Sequence, residues 1–145
     1  MSDAEKFTID RRDLLKSAGG IAIGLASLGH AATPRRRWVI VGMGSRSRMY
    51  SSAITQTFRE GNELVGICDT NPGRLELAAS AVAAAGASPG RYLAADFGRM
   101  LAELKPDAVI VTSPDATHDE YIVRALEAGA DAVTEKPLTT TPEKA

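Results

Sequence analysis

Short apolar segments alternate with segments of helical periodicity between residues 37 and 134, and this alternation constrains the fold more than any other sequence feature. Nearly continuous apolar runs are typical of strands buried on both faces, as in a parallel sheet. Strands that alternate with helices predict a parallel sheet covered on both faces through right-handed crossovers. The sequence therefore predicts an α/β fold with a doubly wound sheet. The five predicted strands are 37–42, 63–69, 91–93, 107–112 and 130–134.

Four helices are expected between these strands, at 45–59, 71–85, 97–104 and 117–129. Asn71 is expected to cap the second helix, because its side chain can accept hydrogen bonds from free backbone N–H groups. Asp96 is expected to cap the third. Thr117 and Glu120 have the spacing of a capping box, which predicts the start of the fourth. The first helix is expected to turn one apolar face inward with Tyr50, Ile54 and Phe58, and the fourth with Ile122, Ala125 and Leu126.

Composition excludes little but favours an ordinary globular domain. The chain has 145 residues, 44% of them hydrophobic and 24% charged, with a formal net charge of −1. Nothing in that balance favours nucleic acid or an anionic membrane surface as a partner. The one cysteine, Cys68, lies in an apolar run and is interpreted as a core residue rather than a nucleophile. No Cys/His cluster has metal-ligand spacing, so no metal site is predicted.

The N-terminus has the order of an export signal. Arg11 and Arg12 precede a Gly/Ala-rich apolar stretch at 17–28, and small residues follow at Gly29 and Ala31. This order predicts a twin-arginine (Tat) signal peptide at 1–31, hence an exported, periplasmic protein, with a short linker at 32–36. The apolar stretch is too short for a stable transmembrane anchor, which needs roughly 20 residues. The alternative is a short amphipathic helix with a chance arginine pair.

A glycine-rich loop joins the first predicted strand to the first helix. Gly42 permits a tight turn, and Gly44 lets the backbone approach a pyrophosphate, with Met43, Ser45 and Arg46 completing the loop. The helix N-terminus behind the loop offers free N–H groups to an anion. The third position of the G-x-G-x-x-G pattern is a serine, residue 47. Strand, glycines and helix together predict a Rossmann-like dinucleotide site; a plain strand-to-helix turn is the alternative.

The second predicted strand ends in an acid. A carboxylate at Asp69 can accept hydrogen bonds from the adenosine ribose hydroxyls and would repel a 2′-phosphate, which favours NAD over NADP. Arg74 lies about one helical turn further on and could meet such a phosphate, so NADP stays possible. The alternative for Asp69 is a helix-capping surface acid.

Two later motifs follow the fourth and fifth predicted strands. They are TSPDATH at 112–118 and EKPL at 135–138. Together with the glycine loop and the CDTNPGRLE segment, they make residues 37–145 resemble the glucose–fructose oxidoreductase, inositol dehydrogenase and rhizopine-catabolism family (Gfo/Idh/MocA). The resemblance implies an NAD(P)-binding domain in which Thr112, Ser113, Pro114 and His118 line the dinucleotide. For His118, on the first turn of a helix, a structural role is the alternative.

The same resemblance places Lys136 beside the nicotinamide and the substrate, with Glu135 as a cofactor contact or a structural partner. A cation at a strand end is suited to orient a hydroxyl or to stabilise developing negative charge on oxygen. The implied reaction is hydride transfer between a nicotinamide cofactor and a sugar or cyclitol hydroxyl. The alternatives are an NAD-dependent glycosidase and a non-catalytic nucleotide-binding module.

In the family, the main proton-transfer residues lie in a C-terminal α/β substrate domain. The chain is expected to stop before that domain and to be inactive alone. Thr141 and Pro142 are expected to begin another helix just before the last residue. The resemblance further implies a homo-oligomer when the protein is full-length, and the substrate itself is not readable from these residues.

Overall fold

A computed structural model describes residues 34–144 of the chain. The predicted export signal and the first residues of the predicted linker lie outside the described residues. The five strands are β1 (Arg36–Val41), β2 (Asn62–Asp69), β3 (Gly90–Leu93), β4 (Ala108–Val111) and β5 (Asp131–Thr134). The first strand thus begins one residue earlier than predicted, within the expected linker.

The strands form one parallel sheet in the order β3-β2-β1-β4-β5. The chain runs outward from β1 on one side, through β2 and β3, and then crosses back to continue through β4 and β5 on the other. This order confirms the predicted Rossmann-like, doubly wound α/β fold. It also brings the carboxyl ends of all five strands to one edge of the sheet.

Helices cover both faces of the sheet. They are α1 (Ser47–Ser52), which continues as a π-helical segment over Ala53–Thr57, α2 (Pro72–Ala83), α3 (Phe97–Leu104) and α4 (His118–Glu127). Single 3₁₀ turns occupy Ala94–Asp96, Asp115–Thr117 and Pro142–Lys144, the last of them at the predicted helix start. No helix among residues 34–144 is both long and apolar enough to cross a membrane.

Two layers of core enclose the sheet, and alternate residues of each strand serve one or the other. Val39 and Val41 of β1 pack under α3 and α4, whereas Ile40 between them packs under α1 and α2. All three side chains are essentially inaccessible to solvent. This two-sided burial explains why the strands are continuous apolar runs, since each such side chain contributes about 1.5–3 kcal/mol on leaving water.

The structure confirms one predicted cap and corrects two. Asn71 accepts hydrogen bonds from the N–H groups of Gly73 and Arg74, as expected. Asp96 caps nothing with its side chain: a 3₁₀ turn precedes α3, and the carboxylate pairs with Arg99 instead. The predicted capping box at Thr117 and Glu120 is also wrong. A 3₁₀ turn precedes α4, and the Thr117 side chain makes no capping hydrogen bond.

The inward faces of two helices also differ from prediction. Phe58 is 63% exposed, because the π-helical segment shifts the helical period and ends at Thr57. On α4, Leu126 is 56% exposed, and Tyr121 is buried instead, edge-on to Phe97 with ring centroids 4.9 Å apart. Tyr50 and Ile54 of α1 do pack on the sheet, as expected.

Candidate functional site

The carboxyl ends of β1, β2 and β4 border a cleft of about 340 Å³. In an open α/β sheet, ligands bind at this edge, next to the point where the strand order reverses. Here that point lies between β1 and β4. Most of the predicted site residues line the cleft: Gly42, Gly44, Ser45, Arg46, Asp69, Arg74, Thr112, Ser113 and Pro114.

A larger cavity of about 620 Å³ lies at the opposite end of the strands, where it is lined by Arg37, the second residue of β1, and Glu63, the second residue of β2. Arg35 and Arg59 contribute further charge to its walls. We assign the site to the smaller cleft, because the loops that carry the predicted motifs meet only at the carboxyl edge.

Gly42 makes the turn at the end of β1. Its φ angle is +88°, which only glycine adopts without strain, and its N–H donates to the Cys68 carbonyl at 2.8 Å. A Cβ at this position would lie 2.4 Å from the backbone nitrogen of Ser113. The glycine is therefore required by the protein's own packing, since it lets the loop after β1 touch the loop after β4.

Gly44, unlike Gly42, has open space around the position of a Cβ atom. A Cβ built there meets no heavy atom within 4 Å, and the position faces the cleft. Ser47, which replaces the third glycine of the motif, is buried and donates from its hydroxyl to the Gly44 carbonyl at 2.7 Å. The loop is thus held from behind and leaves open room in front, as the approach of a pyrophosphate to the backbone requires.

Met43 has a structural role rather than the predicted role of a cofactor contact. Its side chain is buried in the core beneath α1 and α2. Its backbone N–H donates to Oδ2 of Asp69 at 2.6 Å. This N–H group is consequently directed at the carboxylate, and Ser45 and Arg46 form the exposed part of the loop.

Asp69 is a buried carboxylate at the end of β2, only 4% exposed. Oδ2 accepts from Met43, and Oδ1 accepts from the N–H of Asn71 at 2.8 Å. These bonds rule out a helix-capping surface acid, since Asn71 is the cap. The Thr70 hydroxyl donates to Oδ1 as well, at 3.4 Å. A carboxylate oxygen can accept two hydrogen bonds, so Oδ2 retains capacity toward a ribose hydroxyl in the cleft. Arg74 is exposed and borders the same cleft.

The loop after β4 is tied to the glycine loop. The Thr112 hydroxyl donates to the Gly42 carbonyl, at 2.8 Å, and Ser113 and Pro114 continue along the cleft wall. The Thr117 hydroxyl lies 2.8 Å from that of Ser113 and donates to the Pro114 carbonyl at 2.7 Å. The hydroxyls of Thr112 and Thr117 thus shape the wall of the cleft.

His118 has the structural one of its two predicted roles, and it does not line the cleft. The ring is 1% exposed. Nδ1 lies 2.7 Å from the Pro137 carbonyl oxygen, and Nε2 lies 2.9 Å from the Ser113 carbonyl oxygen. Both ring nitrogens are therefore used within the protein, between the loop after β4 and the loop after β5.

Glu135 is a structural partner, one of the two roles considered for it. It accepts a hydrogen bond from the Tyr50 hydroxyl at 2.8 Å, and Arg46 Nε lies 3.5 Å from the same carboxylate oxygen. Burial raises the pKa of Tyr50, and the hydrogen bond to Glu135 raises it further. The helical periodicity predicts only that Tyr50 lies on the core-facing side of the first helix. No sequence signal indicates that it pairs with Glu135, which lies 85 positions further along the chain.

Lys136 is exposed, and within residues 34–144 its side chain has no hydrogen-bond or ion-pair partner. The peptide bond to Pro137 is cis. The lysine stands directly after Glu135, so Tyr50 and Arg46 fix the residue before it and His118 binds the residue after it. An exposed cation thus projects from a loop that is anchored on both sides.

Cys68 is a core residue, as predicted. Burial, followed by the neighbouring Asp69 charge, raises the pKa of its thiol to about 12. The thiol is therefore protonated at neutral pH and is a poor nucleophile. Among residues 34–144, no group of three or more His, Cys, Asp or Glu side chains is placed to hold a metal ion.

Comparison with known proteins gives a family match over residues 36–145. The matching model is GFO_IDH_MocA, described as the oxidoreductase family with an NAD-binding Rossmann fold. Inositol 2-dehydrogenase of Agrobacterium fabrum is 33% identical over 106 residues, which are 73% of this chain and 30% of that protein. Glycosyl hydrolase family 109 protein 2 of Akkermansia muciniphila is 33% identical over 113 residues, 76% of this chain and 24% of that protein.

Among solved structures, the WlbA dehydrogenase of Bordetella pertussis, in complex with NADH and UDP-GlcNAcA, superposes with a TM-score of 0.62. The two chains are 36% identical, and the match covers 76% of this chain and 32% of that one. The chain thus spans about a quarter to a third of the length of these relatives.

Proposed function

Because the chain belongs to the Gfo/Idh/MocA oxidoreductase family and is its NAD-binding Rossmann domain, we propose that the complete protein transfers hydride between a nicotinamide cofactor and a hydroxyl of a sugar or cyclitol. The observation that carries this proposal is the meeting of four loops at one sheet edge, with an exposed lysine on the last of them. The dehydrogenase relatives, among them the inositol 2-dehydrogenase, support the substrate class.

The cleft residues fit a dinucleotide. The open space in front of Gly44 suits a pyrophosphate, and α1 begins behind it. Asp69 on β2 lies to one side of β1 and would hold the adenosine ribose. The loops after β4 and β5 lie on the other side, so the nicotinamide end of the cofactor would reach Pro114 and Lys136.

Lys136 would act on the substrate. When bound, the nicotinamide cofactor supplies the acceptor or donor of the hydride. The Lys136 ammonium would donate a hydrogen bond to the reacting hydroxyl oxygen, holding it in place and stabilising negative charge that develops there. Glu135 would fix the lysine's backbone from α1 through Tyr50. Loss of one such charge-stabilising donor typically costs about 2.7–4 kcal/mol of transition-state stabilisation.

Replacing Lys136 by alanine in the complete protein is expected to lower kcat by about 100-fold or more, which is typical for losing one group that stabilises developing charge. The dissociation constant for NAD should change less than about threefold, since exposed charges contribute little to binding. Steady-state kinetics on sugars and cyclitols, together with calorimetric NAD binding, would measure both.

Lys105 offers a matched control, since it is exposed at the end of α3, away from the cleft. Lys105→Ala should leave kcat unchanged. An unaltered kcat in Lys136→Ala would remove the lysine from the mechanism, and a protein that binds NAD but oxidises none of the substrates would favour the binding-module alternative.

An NAD-dependent glycosidase is the second candidate, because glycosyl hydrolase family 109 protein 2 is among the relatives. The product distinguishes the two activities: a dehydrogenase releases a ketone and reduced cofactor in equal amounts. A glycosidase releases the hydrolysed glycoside with no net change in the cofactor. Incubation of the complete protein with NAD and an aryl glycoside, followed by product analysis, decides between them.

We also propose export through the twin-arginine route, on the strength of the order of Arg11, Arg12, the apolar stretch and the small residues up to Ala31. The route carries proteins that fold before transport, which suits a cofactor-binding domain. Replacing both arginines by lysine should retain the precursor in the cytoplasm and reduce the exported fraction about tenfold or more. Immunoblots of cell fractions measure this fraction, and normal processing in the lysine variant would contradict the proposal.

A further inference from the structure

The His118 ring connects two loops that carry different parts of the proposed site. It is the first residue of α4 and is almost fully buried. Its two nitrogens point to the carbonyl oxygens of Ser113, on the cleft wall, and of Pro137, next to Lys136. Carbonyl oxygens can only accept, so each ring nitrogen binds its carbonyl as the donor.

The rest of the loop after β5 has few other anchors. Lys136 and Pro137 are exposed, and Leu138 is 63% exposed. Before the lysine, Glu135 is held through its side chain by Tyr50 and Arg46. After the lysine, the Pro137 carbonyl is held by His118 at 2.7 Å, the shorter of the two ring contacts. The lysine backbone is therefore fixed from two sides, and His118 supplies the second.

We propose that His118 is a positioning residue, which sets the location of Lys136 through its Nδ1 bond to the Pro137 carbonyl. This inference rests on the proposed function, since it assigns His118 to the nicotinamide end of the site. The ring itself touches neither the cofactor nor the substrate, because the protein encloses it. Its effect reaches the reaction only through the lysine and the wall at Ser113.

Two substitutions separate the two ring nitrogens. The side-chain nitrogen of asparagine reaches about as far as Nδ1, and that of glutamine about as far as Nε2. His118→Asn thus retains a donor toward Pro137, and His118→Gln retains one toward Ser113. Both variants replace the same buried ring, so a general loss of packing affects both. Only glutamine loses the bond on which the proposed positioning depends.

The test uses ¹⁵N-labelled 145-residue chain and NMR of the backbone amides. In His118→Gln, the amide signals of Lys136 and Leu138 should shift, because the Pro137 carbonyl between them loses its hydrogen-bond donor. In His118→Asn, both signals should stay near the wild-type positions. The thermal midpoints of both variants are measured alongside, as the readout of packing.

Ala125→Gly is the matched stability control, because Ala125 is buried on the same helix, away from both loops. It should lower the thermal midpoint without moving the Lys136 signal. Equal shifts at Lys136 in the asparagine, glutamine and control variants would overturn the proposal, because they would reduce His118 to a packing residue. So would a wild-type Lys136 signal in His118→Gln.

Titration with NADH and with ADP-ribose, which lacks the nicotinamide, keeps this inference separate from the proposed function. If wild-type chain binds neither, the proposed cofactor site fails, and the amide shifts still report whether His118 positions the lysine. If both bind, NADH should perturb the Lys136 amide in wild type and His118→Asn. In His118→Gln that perturbation should be lost, with the ADP-ribose affinity changed less than about twofold.

Discussion

Replacing Gly42 by alanine is expected to lower the free energy of unfolding by about 2–5 kcal/mol, a large fraction of the stability of a small domain. Two costs add together. Alanine is strained at a φ angle of +88°, and its Cβ would lie 2.4 Å from the Ser113 nitrogen, where only backbone atoms could move aside. Urea unfolding of the 145-residue chain, followed by circular dichroism, measures the change.

Gly44→Ala is the matched partner of that experiment. A Cβ there meets nothing within 4 Å, so the free energy of unfolding should change by less than about 1 kcal/mol. The same methyl group would stand where we place the pyrophosphate, so the affinity for NADH should fall about tenfold or more. Fluorescence titration with NADH measures this.

The two glycines therefore separate folding from cofactor binding. If Gly44→Ala binds NADH as tightly as wild type, the pyrophosphate does not lie against this loop. If Gly42→Ala is as stable as wild type, the contact between the loops after β1 and β4 is less close than the structure gives. Each result would contradict one assignment without touching the other.

Asp69→Ala is expected to lower the free energy of unfolding by about 2–4 kcal/mol, because the backbone N–H groups of Met43 and Asn71 lose their acceptor in a buried position. The same change should weaken NAD binding by about tenfold to a hundredfold. The loss for NADP should be smaller, since removal of the carboxylate also removes its repulsion of the 2′-phosphate.

Calorimetric titration of the folded variant with both cofactors, beside urea unfolding, checks this. Asp69→Asn serves as the control for packing, since it keeps the size of the side chain and one oxygen acceptor. An equal loss for NAD and NADP would show that Asp69 only organises the loop. Arg74→Ala should then be examined with the same pair of cofactors, because Arg74 is the cation that borders the cleft beside Asp69.

The roles of the glycine loop illustrate how far sequence reasoning reached. Strand, glycines, helix and acid predicted the position of the site, and a cleft lies at that position. The sequence did not indicate which group of the loop contacts which distant residue. Gly42 serves a contact with Ser113, 71 positions later, and the Met43 N–H serves Asp69. Which donor meets which acceptor depends on where distant segments come to lie.

The helix caps and the inward faces of the helices also differ from what the local sequence predicts. Thr117 and Glu120 had the spacing of a capping box, and Asp96 preceded a helix, yet 3₁₀ turns at both places direct the side chains elsewhere. One π-helical segment was enough to move Phe58 out of the core. Local periodicity assumes a regular helix, and a single irregular turn changes which side chains face inward.

The sequence by itself determined the five strands, their parallel pairing and hence the edge at which the loops meet. It could do so because burial on both faces requires apolar runs, and because crossovers between parallel strands have one hand. Only the tertiary structure decided that His118 lies beneath the cleft between Ser113 and Pro137, and that Tyr50 holds Glu135. Those contacts join residues far apart in the chain, and no local pattern encodes the geometry that brings two loops within hydrogen-bond distance.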